Sequence, residues 1–328
     1  MKRVSFWKTV APLLGLCLLT MTACGGGDDD TPVDACAALP AAAPASGASA
    51  PVSTTGAYLC GAGVGVADLE KAVTFYKALG MTERARITRN DRQEVVLDSA
   101  DQRGSRLMLF TYTDGSSRNY RQNPGKIVFY VKTPSTFAAA FHAAASAAGS
   151  GGITATPTPI APGSTTVVGF GRDPNNNLVE IASLAPTDPA AAQTHSYISA
   201  FGIGVSNLTA ARDFYVNTLD MRVSQFLSVN KAPSTPWYDE YILASNAGRG
   251  SAIVLMTYTD GIPKNYNNNP VRLTLRTNDP AAYAQRITAA NVAGATVVRA
   301  PGPVAELGGA VTGQATDANG TQLEILPN

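Results

Sequence analysis

Residues 108–124 read MLFTYTDGSSRNYRQNP, and residues 255–270 read LMTYTDGIPKNYNNNP. Thr111-Tyr112-Thr113-Asp114-Gly115 recurs as Thr257-Tyr258-Thr259-Asp260-Gly261, and Asn119-Tyr120 and Asn123-Pro124 recur as Asn265-Tyr266 and Asn269-Pro270, all at an offset of 146. Recurrence at a fixed offset marks an internal duplication. The matches extend outward. Val66-Ala67-Asp68-Leu69 with Phe75-Tyr76 pairs with Val205-Ser206-Asn207-Leu208 and Phe214-Tyr215, and Asp173-Pro174-Asn175 with Leu178-Val179-Glu180-Ile181 pairs with Asp317-Ala318-Asn319 and Gln322-Leu323-Glu324-Ile325. Two units follow, 58–185 and 196–328, joined by a breaker-rich linker over 186–195 that includes Pro186 and Pro189.

The 328 residues are enough for two cores. Only 15% are charged, against about 25% in an average soluble protein. With 25 Lys and Arg against 24 Asp and Glu, no excess of positive charge exists to hold a phosphate backbone, which argues against a nucleic-acid partner. Two histidines in the whole chain exclude any mechanism built on three clustered imidazoles.

Within a unit the period alternates between that of a strand and that of a helix. A Gly-rich strand, Ala62 to Val66, meets an N-cap at Asp68, or Asn207 in the repeat. The helix that follows shows an apolar face of Leu69, Ala72, Phe75, Tyr76 and Leu79, and Gly80 is placed to end it. Strand patterns then run over Glu94–Leu97, Arg106–Tyr112 and Lys126–Val131, with an alanine-rich helix from Thr136 to Ala148. Strands at Thr165–Gly169 and Leu178–Ala182, joined by an Asp-Pro-Asn-Asn-Asn turn, close the unit. The order is βαββ twice per unit, with room for one more short strand in each half.

The phrases Val-x-Asp-Leu-Glu-x-Ala-x-x-Phe-Tyr-x-x-Leu-Gly at 66–80 and Asp-Pro-Asn-x-Asn-Leu-Val-Glu-Ile at 173–181 resemble the vicinal oxygen chelate superfamily, which groups glyoxalase I, extradiol dioxygenases and bleomycin-resistance proteins. The resemblance covers nearly all of 58–328 and implies an α+β class: two tandem domains, each a pair of βαβββ modules forming a cupped mixed sheet. It does not imply one reaction, because the superfamily hosts many. Its catalytic members hold a divalent metal with a first-strand His, Gln or Glu, a second histidine, and a glutamate on the last strand. By resemblance the first-strand positions are Gly61 and Ala200, and the second positions are Lys126 and Arg272. Only Glu180 and Glu324 remain as donors, so neither a metal nor another cofactor is implied. His142, on the alanine-rich helix, and His195, in the linker, suit surface or capping roles.

A fixed cation therefore stands where relatives place an imidazole, and Lys126 with Glu180 and Arg272 with Glu324 are expected to form internal ion pairs. The other reading turns Lys126 and Arg272 outward. The repeated Tyr-Thr-Asp-Gly loop also has two readings: a tight turn with Asn119 and Asn123 as turn formers, or a pocket wall of Tyr112, Tyr120, Tyr258 and Tyr266. Trp237-Tyr238-Asp239-Glu240, found only in the second unit, would make the second cup the more aromatic, or would anchor an exposed loop.

At the front, Lys2, Arg3 and Lys8 precede an apolar run from Val10 to Met21, and Met21-Thr22-Ala23-Cys24 resembles a bacterial lipobox. Residues 1–23 read as a lipoprotein signal, Cys24 as the lipidated residue, and 24–57 as a low-complexity tether beginning Gly25-Gly26-Gly27. A plain secretory signal is the alternative. Gly25 after Cys24 points, by resemblance to the lipoprotein sorting rule, to the periplasmic face of the outer membrane. Removing 1–23 takes three positive charges, so the mature balance is 22 minus 24, or −2. A Cys36–Cys60 disulfide suits an oxidising compartment, two free thiols being the alternative. The function expected is an envelope-tethered, metal-free protein binding a small apolar or aromatic molecule, with Glu180, Glu324, Lys126, Arg272 and the loop tyrosines as site residues. The alternatives are a lyase or oxygenase using Glu180, Glu324 or a tyrosine as acid or base, and a periplasmic interaction module.

Overall fold

The computed structural model describes residues 53–100, 103–115, 118–183, 196–229, 237–267, 269–307 and 309–328. One module, βαβββ, is laid down four times. The first runs β1 (Tyr58–Gly65), α1 (Leu69–Ala78), β2 (Met81–Thr88), β3 (Arg92–Ser99) and β4 (Arg106–Tyr112). The second runs β5 (Lys126–Val131), α2 (Pro134–Ala147), β6 (Gly152–Pro159), β7 (Val167–Arg172) and β8 (Leu178–Ser183). The third is β9 (Tyr197–Gly204), α3 (Leu208–Asn217), β10 (Met221–Val229), β11 (Tyr238–Ser245) and β12 (Ala252–Tyr258). The fourth is β13 (Val271–Thr277), α4 (Pro280–Ala290), β14 (Thr296–Val304), β15 (Ala310–Thr316) and β16 (Gln322–Pro327). No helix among the described residues is long and apolar enough to cross a membrane.

The helices begin as the residues dictate. Asp68, Asn207 and Asp279 each accept a hydrogen bond from the backbone N–H three residues on, at 3.0 Å, which satisfies a donor the helix leaves free. The expected apolar face of α1 is buried in full, as is Leu79 beyond it. The strands absent from the sequence reading, β2 and β6, are outermost in their sheets. An edge strand has one free side and can carry Glu83, Arg84 and Arg86, or Pro157 and Pro159, so no clean alternation marks it.

The class is α+β with two eight-stranded mixed sheets, ordered β14-β15-β16-β13-β1-β4-β3-β2 and β10-β11-β12-β9-β5-β8-β7-β6. Neither sheet belongs to one repeat. The first joins module one to module four through antiparallel β1 and β13, and the second joins module two to module three through β5 and β9. The units 58–185 and 196–328 are thus units of sequence, and each contributes half of each sheet.

The reason lies in the layer between the sheets, where a single buried core draws on all four modules. Helices α1 and α2 of one repeat pack together there, with Phe75 edge-on to Phe141 at 5.0 Å between ring centroids. Tyr76 on α1 donates from its hydroxyl to buried Asp173 in the β7–β8 turn at 2.8 Å, and Tyr215 on α3 makes the same bond to Asp317 at 3.0 Å. The Asp-Pro-Asn-Asn-Asn turn also folds onto that carboxylate, with the N–H groups of Asn175 and Asn177 each donating to Asp173 at 2.8 Å. Modules of one repeat meet through their helices, so their strands face away from each other and must find sheet partners in the other repeat.

Residues 53–57, assigned above to the tether, are part of the folded body. Ser53 Oγ, the N–H groups of Thr54 and Thr55, and Thr55 Oγ1 all donate to Asp220 Oδ2 at 2.8 to 3.0 Å. Burial would raise the Asp220 carboxyl, but these bonds and one from Asn246 hold it below the usual range. Cys60 is buried in β1 and disulfide-bonded. Cys24, Cys36, the signal, most of the tether, the linker and His195 lie outside the described residues.

The first repeat expressed alone, residues 24–183, should give no folded monomer, because β1 and β5 would both lack their antiparallel partners. Size-exclusion chromatography with light scattering checks this. A folded monomer with a cooperative unfolding transition would contradict the cross-repeat pairing.

Candidate functional site

Each sheet curves over a buried charge cluster on the face turned away from the helices. In the second sheet Lys126, the first residue of β5, directs its ammonium between two carboxylates. Its Nζ stands 2.8 Å from Glu180 Oε2 on β8 and 2.7 Å from Glu240 Oε2 on β11. Lys126 and Glu240 are each 3% exposed. The Lys126 stem runs past Gly202, its register partner on β9, and a Cβ there would stand 2.7 Å from Lys126 Cγ. Glycine is what lets the long side chain cross the first strand.

Tyr238 forms the floor of this cluster, its ring centroid 5.1 Å from Lys126 Nζ. Val128, Ala200, Ala252, Val254 and Met256 pack around it as a small second core. Burial alone would discharge Lys126, but Glu180 and Glu240 outweigh it and raise its pKa well above the usual lysine value. The same burial pushes the Glu240 carboxyl up, because one ammonium must serve two carboxylates. Burial also pushes the Tyr258 hydroxyl up to about 12.

The first sheet repeats the plan with more cations. Arg272, at the position of Lys126 in the other repeat, is 2% exposed. Its Nη2 donates to Glu94 Oε1 at 2.6 Å, and its Nε lies 3.7 Å from Glu324 Oε2. Arg89 adds a bond from Nη2 to Glu324 Oε1 at 3.1 Å, and Thr274 Oγ1 donates to Glu324 Oε2 at 3.2 Å. Arg92 stands where the second sheet has Tyr238, and its Nε is 3.6 Å from Glu94 Oε2. Burial would raise Glu94, but Arg272, then Arg89 and Arg92, hold it below the usual carboxylate range. Arg272 is pushed above the ordinary arginine value by Glu324 and Glu94 despite its burial.

The structure therefore brings Lys126 to Glu180 and Arg272 to Glu324. Glu94, Arg89 and Arg92 escaped sequence reasoning, and Tyr238 and Glu240 were singled out there only as part of an aromatic segment, not as partners of Lys126. A signal was present: Glu94 and Glu240 are 146 apart, each a carboxylate leading an apolar strand pattern. What hid it is that their partners come from the other repeat.

The loop tyrosines divide. Tyr120 and Tyr266 turn back on their own strands, where each hydroxyl accepts from the N–H of Tyr112 or Tyr258, at 3.1 and 2.9 Å. They act as latches for the loop. Tyr112 and Tyr258 lie half-buried at the rims of the two clusters, with Gln322 donating to the Tyr112 hydroxyl at 2.8 Å. Asn123 caps Gly125 and bonds Asn177, as a turn former does. Trp237 is half-exposed just before β11, and its neighbour Tyr238 enters the cup instead. His142 is exposed on α2.

Residues 59–181 match the Glyoxalase/Bleomycin resistance protein/Dioxygenase superfamily. That segment lies within the first repeat, and the second repeat carries the same βαβββ module. Among solved structures the fold is similar to glyoxalase I from Zea mays, at 17% identity and a TM-score of 0.62, covering 83% of this chain and 92% of that one. A mutant of that maize enzyme matches at 18% and 0.63, covering 84% and 93%. A dioxygenase candidate from Bacillus subtilis matches at 12% and 0.52, covering 82% and 84%. At these identities the likeness is one of fold. No curated protein matches the chain in sequence.

Lys126→Met would strand Glu180 and Glu240 against each other in a nearly dry site. Urea denaturation should show a loss of about 3–5 kcal/mol, while a Lys126→Met, Glu180→Gln, Glu240→Met triple variant recovers most of it. Equal losses in the two variants would mean that the charges are not what couples these residues.

Proposed function

We propose that this protein is a metal-free, glyoxalase-like binding protein, tethered to the cell envelope, whose cups take a small apolar or aromatic molecule. The observation that carries this reading is the Lys126 ammonium seated 2.7 and 2.8 Å from two carboxylates. A divalent metal needs several neutral or anionic donors converging on one point. The donor sets here do not suit it. In each cup both carboxylates already bond a side-chain cation, the first-strand positions are Gly61 and Ala200, and no trio of His, Cys, Asp or Glu gathers among the described residues. A fixed positive charge in that place offsets the charge of the glutamates without any metal.

An apolar ligand is supported by what surrounds the charges. Tyr258, Tyr130, Val168 and Ile242 are partly buried around the second cluster, and Tyr112 stands at the rim of the first. Flat rings with one polar end suit a ligand of mixed character. The purified mature protein should carry no stoichiometric transition metal by elemental analysis, and added zinc or nickel should not raise its melting temperature. A bound metal near one per chain would overturn the reading.

The envelope placement rests on Met21-Thr22-Ala23-Cys24 and the glycine tether behind it. Cys24→Ser should move the protein from the membrane fraction to the soluble fraction and abolish labelling by a fatty-acid analogue. An unlabelled wild-type protein would refute the lipid anchor.

A further inference from the structure

The two cups are built on one plan but differ in their unused hydrogen-bond donors. In the second, no polar atom of Lys126, Glu180 or Glu240 is left buried without a partner. In the first, three guanidiniums face two carboxylates, and four of their N–H groups have no hydrogen-bond acceptor among the described residues: Arg272 Nε and Nη1, Arg92 Nε and Arg89 Nε. Three of these stand 3.5 to 3.7 Å from glutamate oxygens, within ion-pair range but without a hydrogen bond. Asp91, at the exposed edge, satisfies Arg92 through Nη1 at 2.9 Å and does not reach Nε. Glu94 Oε2 is likewise without a hydrogen bond, so the unfilled donors outnumber the unfilled acceptor four to one. Buried guanidinium donors are costly to leave unfilled, and the cluster has N–H groups to spare for a further acceptor.

We infer that the cup of the first sheet binds a small organic carboxylate, held by Arg272, Arg92 and Arg89. Guanidinium presents its N–H groups in a plane that matches the two oxygens of a carboxylate. The three arginines come from β13, β3 and the β2–β3 turn, so an anion arriving from the Arg89 side, where exposure is 10%, meets donors from both repeats. The body of the ligand is given by the adjoining wall. Phe110 and Tyr112 pack edge to face at 5.6 Å on β4, and the Tyr112 hydroxyl accepts from Gln322 while keeping its own proton to donate. An arylcarboxylate satisfies both halves of this arrangement. The second cup, with one cation between two carboxylates, repels the same anion.

This inference rests on the metal-free reading and narrows it to one ligand class in one cup. The two fail separately, since elemental analysis decides the first and anion selectivity the second. The test is calorimetric titration and thermal unfolding of the purified mature protein with sodium benzoate and with benzamide, at constant ionic strength. Benzoate should bind at one site per chain and raise the melting temperature in proportion to the logarithm of its concentration, while benzamide leaves it unchanged. Arg92→Gln should weaken benzoate about tenfold. Should that variant fail to fold, Arg89→Gln, nearer the solvent, serves the same purpose. Equal stabilisation by benzamide, or by chloride at the same concentration, overturns the inference. So does an unchanged benzoate affinity in the folded arginine variant, or the absence of any benzoate response.

Discussion

A buried tyrosine hydroxyl bonded to a buried aspartate, made once in each repeat, is the constraint from which the architecture follows. Tyr76 to Asp173 and Tyr215 to Asp317 fasten the helix of one module to the last turn of the next. Both partners are desolvated, and burial pushes Tyr76 and Tyr215 well above the ordinary tyrosine range. The hydroxyl therefore keeps its proton and donates it. Consecutive modules are held helix to helix, and their sheets open in opposite directions.

The charge clusters depend on that arrangement. A cation on the first strand of one module reaches a glutamate on its own last strand, and then a second glutamate supplied by the module across the sheet. Lys126 and Glu180 are of the first repeat, and Glu240 is of the second. Arg272 and Glu324 are of the second, and Glu94, Arg89 and Arg92 are of the first. Each site is thus shared between repeats, which explains how a duplicated chain can hold two cups of unlike charge. Only one side of each needs to diverge. Arg89 and Arg92, both from the first repeat, turn a cluster short of cations into one rich in them.

Burying a lone glutamate in a sheet would cost several kcal/mol, and a cation alone would cost as much. The pairs are tolerable because both ions are hydrogen-bonded at close range and because glycine at 202 leaves room for the Lys126 stem. That balance leaves little slack. It makes the cup floors rigid, and it places the adaptable chemistry at the rims, where Tyr112 and Tyr258 are half-buried.

The duplication, the helix caps at Asp68 and Asn207, the apolar face of α1 and the strands at 106–112 and 126–131 were legible in the amino-acid order, because each depends on residues within one turn or one strand of each other. The Lys126–Glu180 and Arg272–Glu324 pairs, whose members sit on adjacent parallel strands of one module, were expected only through the family resemblance. Edge strands β2 and β6 were not legible, since one open side removes the pressure for alternation. Nor were Glu94 and Glu240 as partners of Arg272 and Lys126. All four modules begin with a strand able to pair with any other, so local sequence determined the module and left its partner open. The choice was made by helix packing in the shared core, a contact between segments about a hundred residues apart, which no local pattern records.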